Sequence, residues 1–213
     1  MQEIKNISSY KAGLHDKILH VAMRAFAGHG IRAVKMDDIA ASLAISKRTL
    51  YELYGTKADL LYEGVRWFHA LKHEKMTRLA AESSDVIEIL VKSYRLSADE
   101  FRVTSPAFYS DLQKYPKVLE YLHEQNRQAK GSQLQFFRRG VDEGFFRSDI
   151  DYTLASLPLD NMSRLIMTER LYEQHTIEEI FSNLVFVVIR GLCTPKGIAT
   201  LEAQIAKTAE VHN

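Results

Sequence analysis

Apolar residues recur along the chain at steps of three and four, the spacing of one helix face rather than the alternation of a strand. Leu14, Ile18, Val21, Ala22, Ala25 and Phe26 line the first such face, and Gly30 stands where a helix can end in a left-handed residue. Met36, Ile39, Ala40 and Leu43 predict a short second helix, with Asp37 and Asp38 in the first turn, where the helix dipole favours negative charge. Ser46 suits the cap of a third short helix over 47–53, which Gly55 would close. Thr56, with Asp59 three residues on, is a variant capping box. It opens a long fourth helix that Leu60, Leu61, Val65, Phe68, Leu71 and Leu79 carry to about residue 81.

The same spacing predicts helices over 86–102, 106–114, 117–143, 151–172 and 176–192, and a last one from Pro195. Pro116 separates the second and third of these, because the residue before a proline is pushed out of the helical region. Gly144 closes the third. The run Leu-Val-Phe-Val-Val-Ile at 184–189 would also suit a buried strand, but no partner strand is evident. Read as helix, it keeps the step through Ile177, Ile180, Phe181, Leu184, Val185, Val188 and Leu192, while Phe186, Val187 and Ile189 make other faces apolar too. A helix apolar on most sides must be covered on most sides, either deep in its own domain or by a second copy of the chain. We expect Ile177, Phe181, Leu184, Val185, Val188 and Leu192 at a homodimer interface.

Composition narrows the class. The chain has 213 residues, 46% apolar and 26% charged, enough to bury a core and unlike disordered or collagen-like sequence. The one cysteine, Cys193, cannot form an internal disulfide, and the N-terminal stretch lacks the apolar run of a secretory signal. No apolar run approaches the roughly 20 residues of a membrane span, so a cytoplasmic, soluble protein with no membrane partner is expected. Net charge is only +1, but residues 1–57 hold nine Lys or Arg against five Asp or Glu, leaving the remainder acidic. A basic head on an acidic body steers a polyanion toward one end.

The stretch Asp38-Ile39-Ala40-Ala41-Ser42-Leu43-Ala44-Ile45-Ser46-Lys47-Arg48-Thr49-Leu50-Tyr51 carries the functional signal. Two short helices joined by a tight turn form a helix-turn-helix, whose second helix fits the DNA major groove. Ile39, Ala40, Leu43, Ile45 and Leu50 would fix the angle between them, leaving Ser46, Lys47, Arg48, Thr49 and Tyr51 outward. Hydroxyls and cations at a helix start suit phosphate oxygens and base edges.

These residues resemble the DNA-binding region of the tetracycline-repressor (TetR) family of bacterial transcription regulators. The likeness spans about residues 14 to 65 and rests on Ile18, Ala22, Phe26, Gly30, Ile39-Ala40, Ile45-Ser46, Leu50-Tyr51, Tyr54, Lys57 and Leu60. It implies DNA-backbone contacts from Tyr51 and Lys57, and base or phosphate contacts from Lys47, Arg48 and Thr49. Three positions depart from the pattern. Ala44 replaces the glycine usual in the turn, Tyr54 a common phenylalanine, and Lys35 a threonine that caps the second helix. Lys35 forfeits that cap, worth about 1 kcal/mol, and offers a cation to phosphate instead. Against the DNA reading stand plainer ones: Tyr51 and Tyr54 packing the head, and Lys47, Arg48 and Lys57 as solvated charges.

The resemblance implies an all-α fold with two domains. Residues 1–56 would be a three-helix, helix-turn-helix DNA-binding domain, and residues 57–213 a helical bundle for effector binding and dimerisation. The implied partners are a palindromic double-stranded DNA operator, a second copy of the chain and an unidentified small-molecule effector. The expected activity is repression relieved by the effector. Trp67, Tyr94, Phe101, Phe108, Tyr109, Phe137, Met162 and Met167 are candidates to line the effector site, with Arg102 or Asn161 for polarity, although each apolar one also suits ordinary core. An enzyme is the rival class. Glu120 and His123 form one Glu-x-x-His, and His69 and His73 lie four apart, but a di-iron bundle needs two such elements and further carboxylates. No catalytic residue, metal site or cofactor is expected.

Overall fold

The computed structural model describes residues 2–210, the side chains of 2–12, 163 and 208–210 excepted. Twelve α-helices follow one another among these residues: α1 (Gln2–His29), α2 (Met36–Ser42), α3 (Lys47–Tyr54), α4 (Lys57–Glu82), α5 (Val86–Arg102), α6 (Pro106–Leu112), α7 (Pro116–Asp142), α8 (Tyr152–Ala155), α9 (Leu157–Thr168), α10 (Ile177–Ile180), α11 (Phe186–Leu192) and α12 (Pro195–Glu210). A 3₁₀ turn spans Leu171–Glu173 and a π-helical turn spans Phe181–Val185. The described residues contain no strand, only an isolated antiparallel bridge between Phe146 and Cys193. The all-α class is as the sequence predicts.

Packing groups residues 1–73 with 103–121, and residues 74–102 with 122–213. This grouping is a different cut from the functional division expected at residue 56. The first unit shows why: Arg32 N–H donates to the buried Asp111 carboxylate at 2.7 Å, and Ser105 N–H donates to the Ala27 carbonyl at 2.7 Å, so α6 is tied to the end of α1. Gly30, with φ +83°, is the left-handed stop between them, and a Cβ there would meet the Ala107 side chain at 2.8 Å. The start of α4 also belongs here, with Leu60, Leu61, Gly64 and Val65 buried.

The second unit is organised by Val86, Ile87 and Val91 of α5, Phe137 of α7, Phe145, Phe146, then Phe186, Ile189, Leu192, Cys193 and Leu201. Phe137 stacks on Tyr152 at 4.8 Å between ring centres, a geometry worth about 0.5–1.5 kcal/mol beyond burial. The segment between α7 and α8 is fastened by Thr194, whose hydroxyl donates to the Gly144 carbonyl at 2.8 Å and accepts from Gly197 N–H at 3.1 Å. Gly197 lies so close that an added Cβ would stand 2.1 Å from the Phe145 carbonyl oxygen. Gly197→Ala therefore has to push α12 away, and we expect a loss of about 1–3 kcal/mol in urea unfolding of the full chain.

Two stretches differ from the sequence expectation. The helix predicted over 151–172 is broken at Ser156, because Pro158 lacks an N–H and its ring would collide with the carbonyl four residues back. Arg170, at φ +52°, breaks it again before the 3₁₀ turn. The helix over 176–192 is helical throughout, yet the π turn inserts an extra residue and rotates everything beyond it. Ile177 and Ile180 face inward before the turn, and Phe186, Ile189 and Leu192 after it. Phe186 and Ile189, which lie off the apolar step of the unbroken helix, are thereby core.

Candidate nucleic-acid interface

Ile18, Ala22 and Phe26 of α1, Ile31 and Val34 of the connecting loop, Met36, Ile39 and Ala40 of α2, and Leu50 and Tyr54 of α3 are all buried. Leu43 and Ile45 are half-buried at the turn. With its inward positions taken up by Leu50 and Tyr54, α3 leaves Lys47, Arg48, Tyr51 and Glu52 exposed.

The turn is closed by three backbone bonds: Leu43 N–H and Ile45 N–H to the Ala40 carbonyl at 3.3 and 3.1 Å, and Ala44 N–H to the Ala41 carbonyl at 3.1 Å. This geometry places Ala44 at φ +53°. An L side chain there crowds the following carbonyl, at a cost of about 1–2 kcal/mol. Ala44→Gly removes that clash but adds unfolded-chain entropy, so a net gain of about 1 kcal/mol and a rise of a few degrees in Tm is expected, checked by thermal melting.

Ser46 caps α3 as predicted, its hydroxyl accepting from Thr49 N–H at 3.0 Å and lying 2.8 Å from the Thr49 hydroxyl. Lys35 N–H donates to the Asp38 carboxylate at 3.0 Å, so one N–H at the start of α2 is satisfied from within the helix although Lys35 itself supplies no side-chain cap. Lys35 is exposed.

The cations of α3 are held by neighbouring acids. Lys47 Nζ pairs with Asp37 at 2.9 Å, and the hydrogen bond and charge of that carboxylate hold its pKa above the usual lysine value. The ammonium also lies 5.8 Å from the centre of the Tyr51 ring. Arg48 Nε pairs with Glu52 at 2.7 Å. Neither acid was singled out as a partner of a DNA contact. The Arg48–Glu52 pair is readable from its spacing of four, whereas Asp37 and Lys47 meet only because the turn folds α2 back beside α3.

Lys57 is placed otherwise than as a free cation. Its ammonium donates to the carbonyls of Ile31, Val34 and Arg32 at 2.9, 3.0 and 3.4 Å. An ammonium has three donors, and here all three clamp the loop that leads into α2. Tyr54 is core, its pKa raised by burial.

The residues expected to line an effector site fall in both compact units. Trp67, Phe108 and Tyr109 belong to the first and are half-buried, with Trp67 edge-on to His20 at 6.2 Å. Tyr94, Phe101, Phe137, Met162 and Met167 belong to the second. Phe137 is in the main core, Tyr94 packs on Phe181 at 4.6 Å, and Met162, with Ile166 and Ile180, centres a smaller cluster that Phe101 and Met167 border. Arg102 pairs with Glu178, and Asn161 donates to the Leu157 carbonyl at 2.8 Å.

Of the residues expected at a dimer interface, Ile177 and Leu192 are buried within their own chain, and Phe181, Leu184, Val185 and Val188 are half-buried. The large apolar side chains exposed nearby in sequence are Leu154, Leu157, Leu165, Val187 and Ile198. His69 lies edge-on to Tyr121 at 5.8 Å, with its pKa lowered by burial and by His73. Glu120 and His123 are exposed, and no three His, Cys, Asp or Glu among the described residues are grouped as a metal would need. No described helix is long and apolar enough to cross a membrane.

Residues 18–63 match the family described as bacterial regulatory proteins, tetR family. The HTH-type transcriptional repressor KstR2 of Rhodococcus jostii is 28% identical over 195 residues, covering 88% of this chain and 95% of that one. Among solved structures, a transcriptional regulator of Saccharomonospora viridis in complex with choline superposes with TM-score 0.66 at 20% identity, over 86% of this chain and 99% of that one. The ketosteroid regulator KstR2 of Mycobacterium tuberculosis does so with TM-score 0.54 at 19% identity, over 84% and 95%.

Proposed function

We propose that the chain, as a member of the tetR family of bacterial regulatory proteins, is a DNA-binding transcription repressor that acts as a homodimer on a palindromic operator and is released by a small-molecule effector. The observation that carries this reading is α3 itself. It is a capped helix rooted by Leu50 and Tyr54, with two cations and an exposed tyrosine on its outer side. Lys47, Arg48 and Tyr51 are the proposed contacts to bases and phosphates, supported by Ser46 and Thr49 at the helix start and Lys35 before α2. In the DNA-bound state the phosphates compete with Asp37 and Glu52 for the two cations. Lys57 acts by holding the 31–34 loop.

Residues 1–56 serve as the DNA-binding head and 57–213 as the effector and dimerisation body, in a cytoplasmic protein without a catalytic role. The relative from Rhodococcus jostii is named a repressor, and the Saccharomonospora viridis regulator holds choline, which supports a small-molecule effector here. A second copy would cover Leu154, Leu157, Leu165 and Val187 together with the half-buried Phe181, Leu184 and Val188. Two copies engage successive major grooves only when their recognition helices are about 34–36 Å apart. An effector releases the DNA to the extent that it prefers another spacing. Selection of bound duplexes from random sequence, followed by sedimentation of the winner with the protein, tests this. A palindrome carrying two chains is expected, and an asymmetric site carrying one chain would overturn the homodimer.

A further inference from the structure

The last turns of α4 and the middle of α5 border an open groove of about 340 Å³ lined by Lys75, Arg78, Leu79, Glu82, Lys92 and Arg95. Lys75 and Arg78 are three residues apart on one helix, and Lys92 and Arg95 three apart on the other, so each pair shares a helix face. Four cations thus converge on a cleft with one carboxylate in its wall, in a part of the chain that is acidic as a whole. Arg78 also pairs with Glu74 at 2.8 Å and Lys92 with Glu88 at 2.7 Å. Arg95 Nε is buried and finds no hydrogen-bond partner among the described residues. A buried guanidinium N–H without an acceptor is costly, and this residue stands in the wall of the groove.

We propose that this groove binds the phosphate-bearing end of a small molecule. The chemistry favours phosphate over a carboxylate. Two guanidiniums on different helices offer forked donors to several oxygens, and the tetrahedral oxygens of a phosphate can meet both helices at once, which the two coplanar oxygens of a carboxylate do less well. Leu79 and the aliphatic stems of the lysines and arginines form an apolar floor for the first carbons beyond the phosphate. The volume lies at the small end of the range for small-molecule sites, which suits a headgroup rather than a whole large ligand. Phosphate esters and free inorganic phosphates share this chemistry. The inference is independent of operator binding, since no DNA contact enters it.

The test is calorimetric titration of the full chain, without DNA and at low salt, with inorganic pyrophosphate and separately with octyl phosphate. One site per chain is expected for at least one probe; tighter binding of octyl phosphate assigns the groove to an ester, tighter binding of pyrophosphate to a free anion. Lys75→Ala with Arg78→Ala, both exposed, should weaken binding by roughly tenfold or more. Lys47→Ala with Arg48→Ala should leave it unchanged. Arg95→Gln, which keeps the bulk, should also weaken it. Absence of binding by both probes at millimolar concentration, or equal weakening by the two double substitutions, would overturn the proposal. So would a fall of about two in the salt slope of duplex binding on replacing Lys75 and Arg78, because the groove would then be a DNA contact.

Discussion

Replacing Lys47 and Arg48 together with alanine is expected to lower affinity for duplex DNA by roughly a hundredfold or more while leaving the fold intact. Each well-made contact to a base edge is worth about 1–3 kcal/mol, and two lost contacts reach that factor. The same side chains do little for stability. Lys47 and Arg48 are 59% and 87% exposed, and their pairs with Asp37 and Glu52 are surface ion pairs of about 0–1 kcal/mol. Fluorescence anisotropy with a labelled duplex reads the first effect and thermal melting the second. Unchanged affinity would remove α3 from the interface. A loss of affinity accompanied by a large fall in Tm would mean that the pair acts through folding.

Leu50→Ala produces the reverse pattern. Leu50 is fully buried on the inner face of α3, and its truncation leaves a cavity costing about 2–5 kcal/mol. Because α2 and α3 are short, they have little intrinsic helical stability and depend on that shared core. Urea unfolding should show the loss, and amide exchange should place it in α1 to α3. DNA affinity falls with it although Leu50 touches no DNA. A cost below about 1 kcal/mol would mean that Leu50 does not anchor the recognition helix.

The head was legible because its signals are local. Gly30 and Gly55 do lie at positive φ, Ser46 does cap α3, and Ile18, Ala22, Phe26, Ile39, Ala40 and Leu50 are buried. Ala44 showed where the turn had to tolerate a Cβ, and the structure shows how, by a left-handed alanine. What was not legible depends on chain segments far apart. Nothing in the sequence indicates that the Lys57 ammonium reaches three carbonyls in the 31–34 loop, or that Asp37 reaches Lys47. Composition marks cations, but not whether an internal acceptor already holds them.

The body was legible as helices and less so as faces. Pro158 was visible, yet the apolar spacing on both sides of it masked the break at Ser156. The π turn at Phe181–Val185 carries no sequence signature that distinguishes it from α-helix, and one inserted residue brings Phe186 and Ile189, which lie off the main apolar step, onto the core side. Pocket lining and core share the same residue types and the same period, which is why Phe137 could be named for one and lie in the other. The cationic groove is hidden in the sequence for a related reason: its pairs are ordinary i, i+3 surface spacings until two helices bring them together.

The central claim is that the outer side of α3 lies in the major groove, and methylation interference on a selected duplex tests it most directly. Guanine N7 faces the major groove and adenine N3 the minor groove. Methylation at N7 within each half-site is expected to block binding by the full chain, and methylation at N3 in the same half-sites is expected not to. Interference confined to N3, or binding indifferent to both, would contradict it.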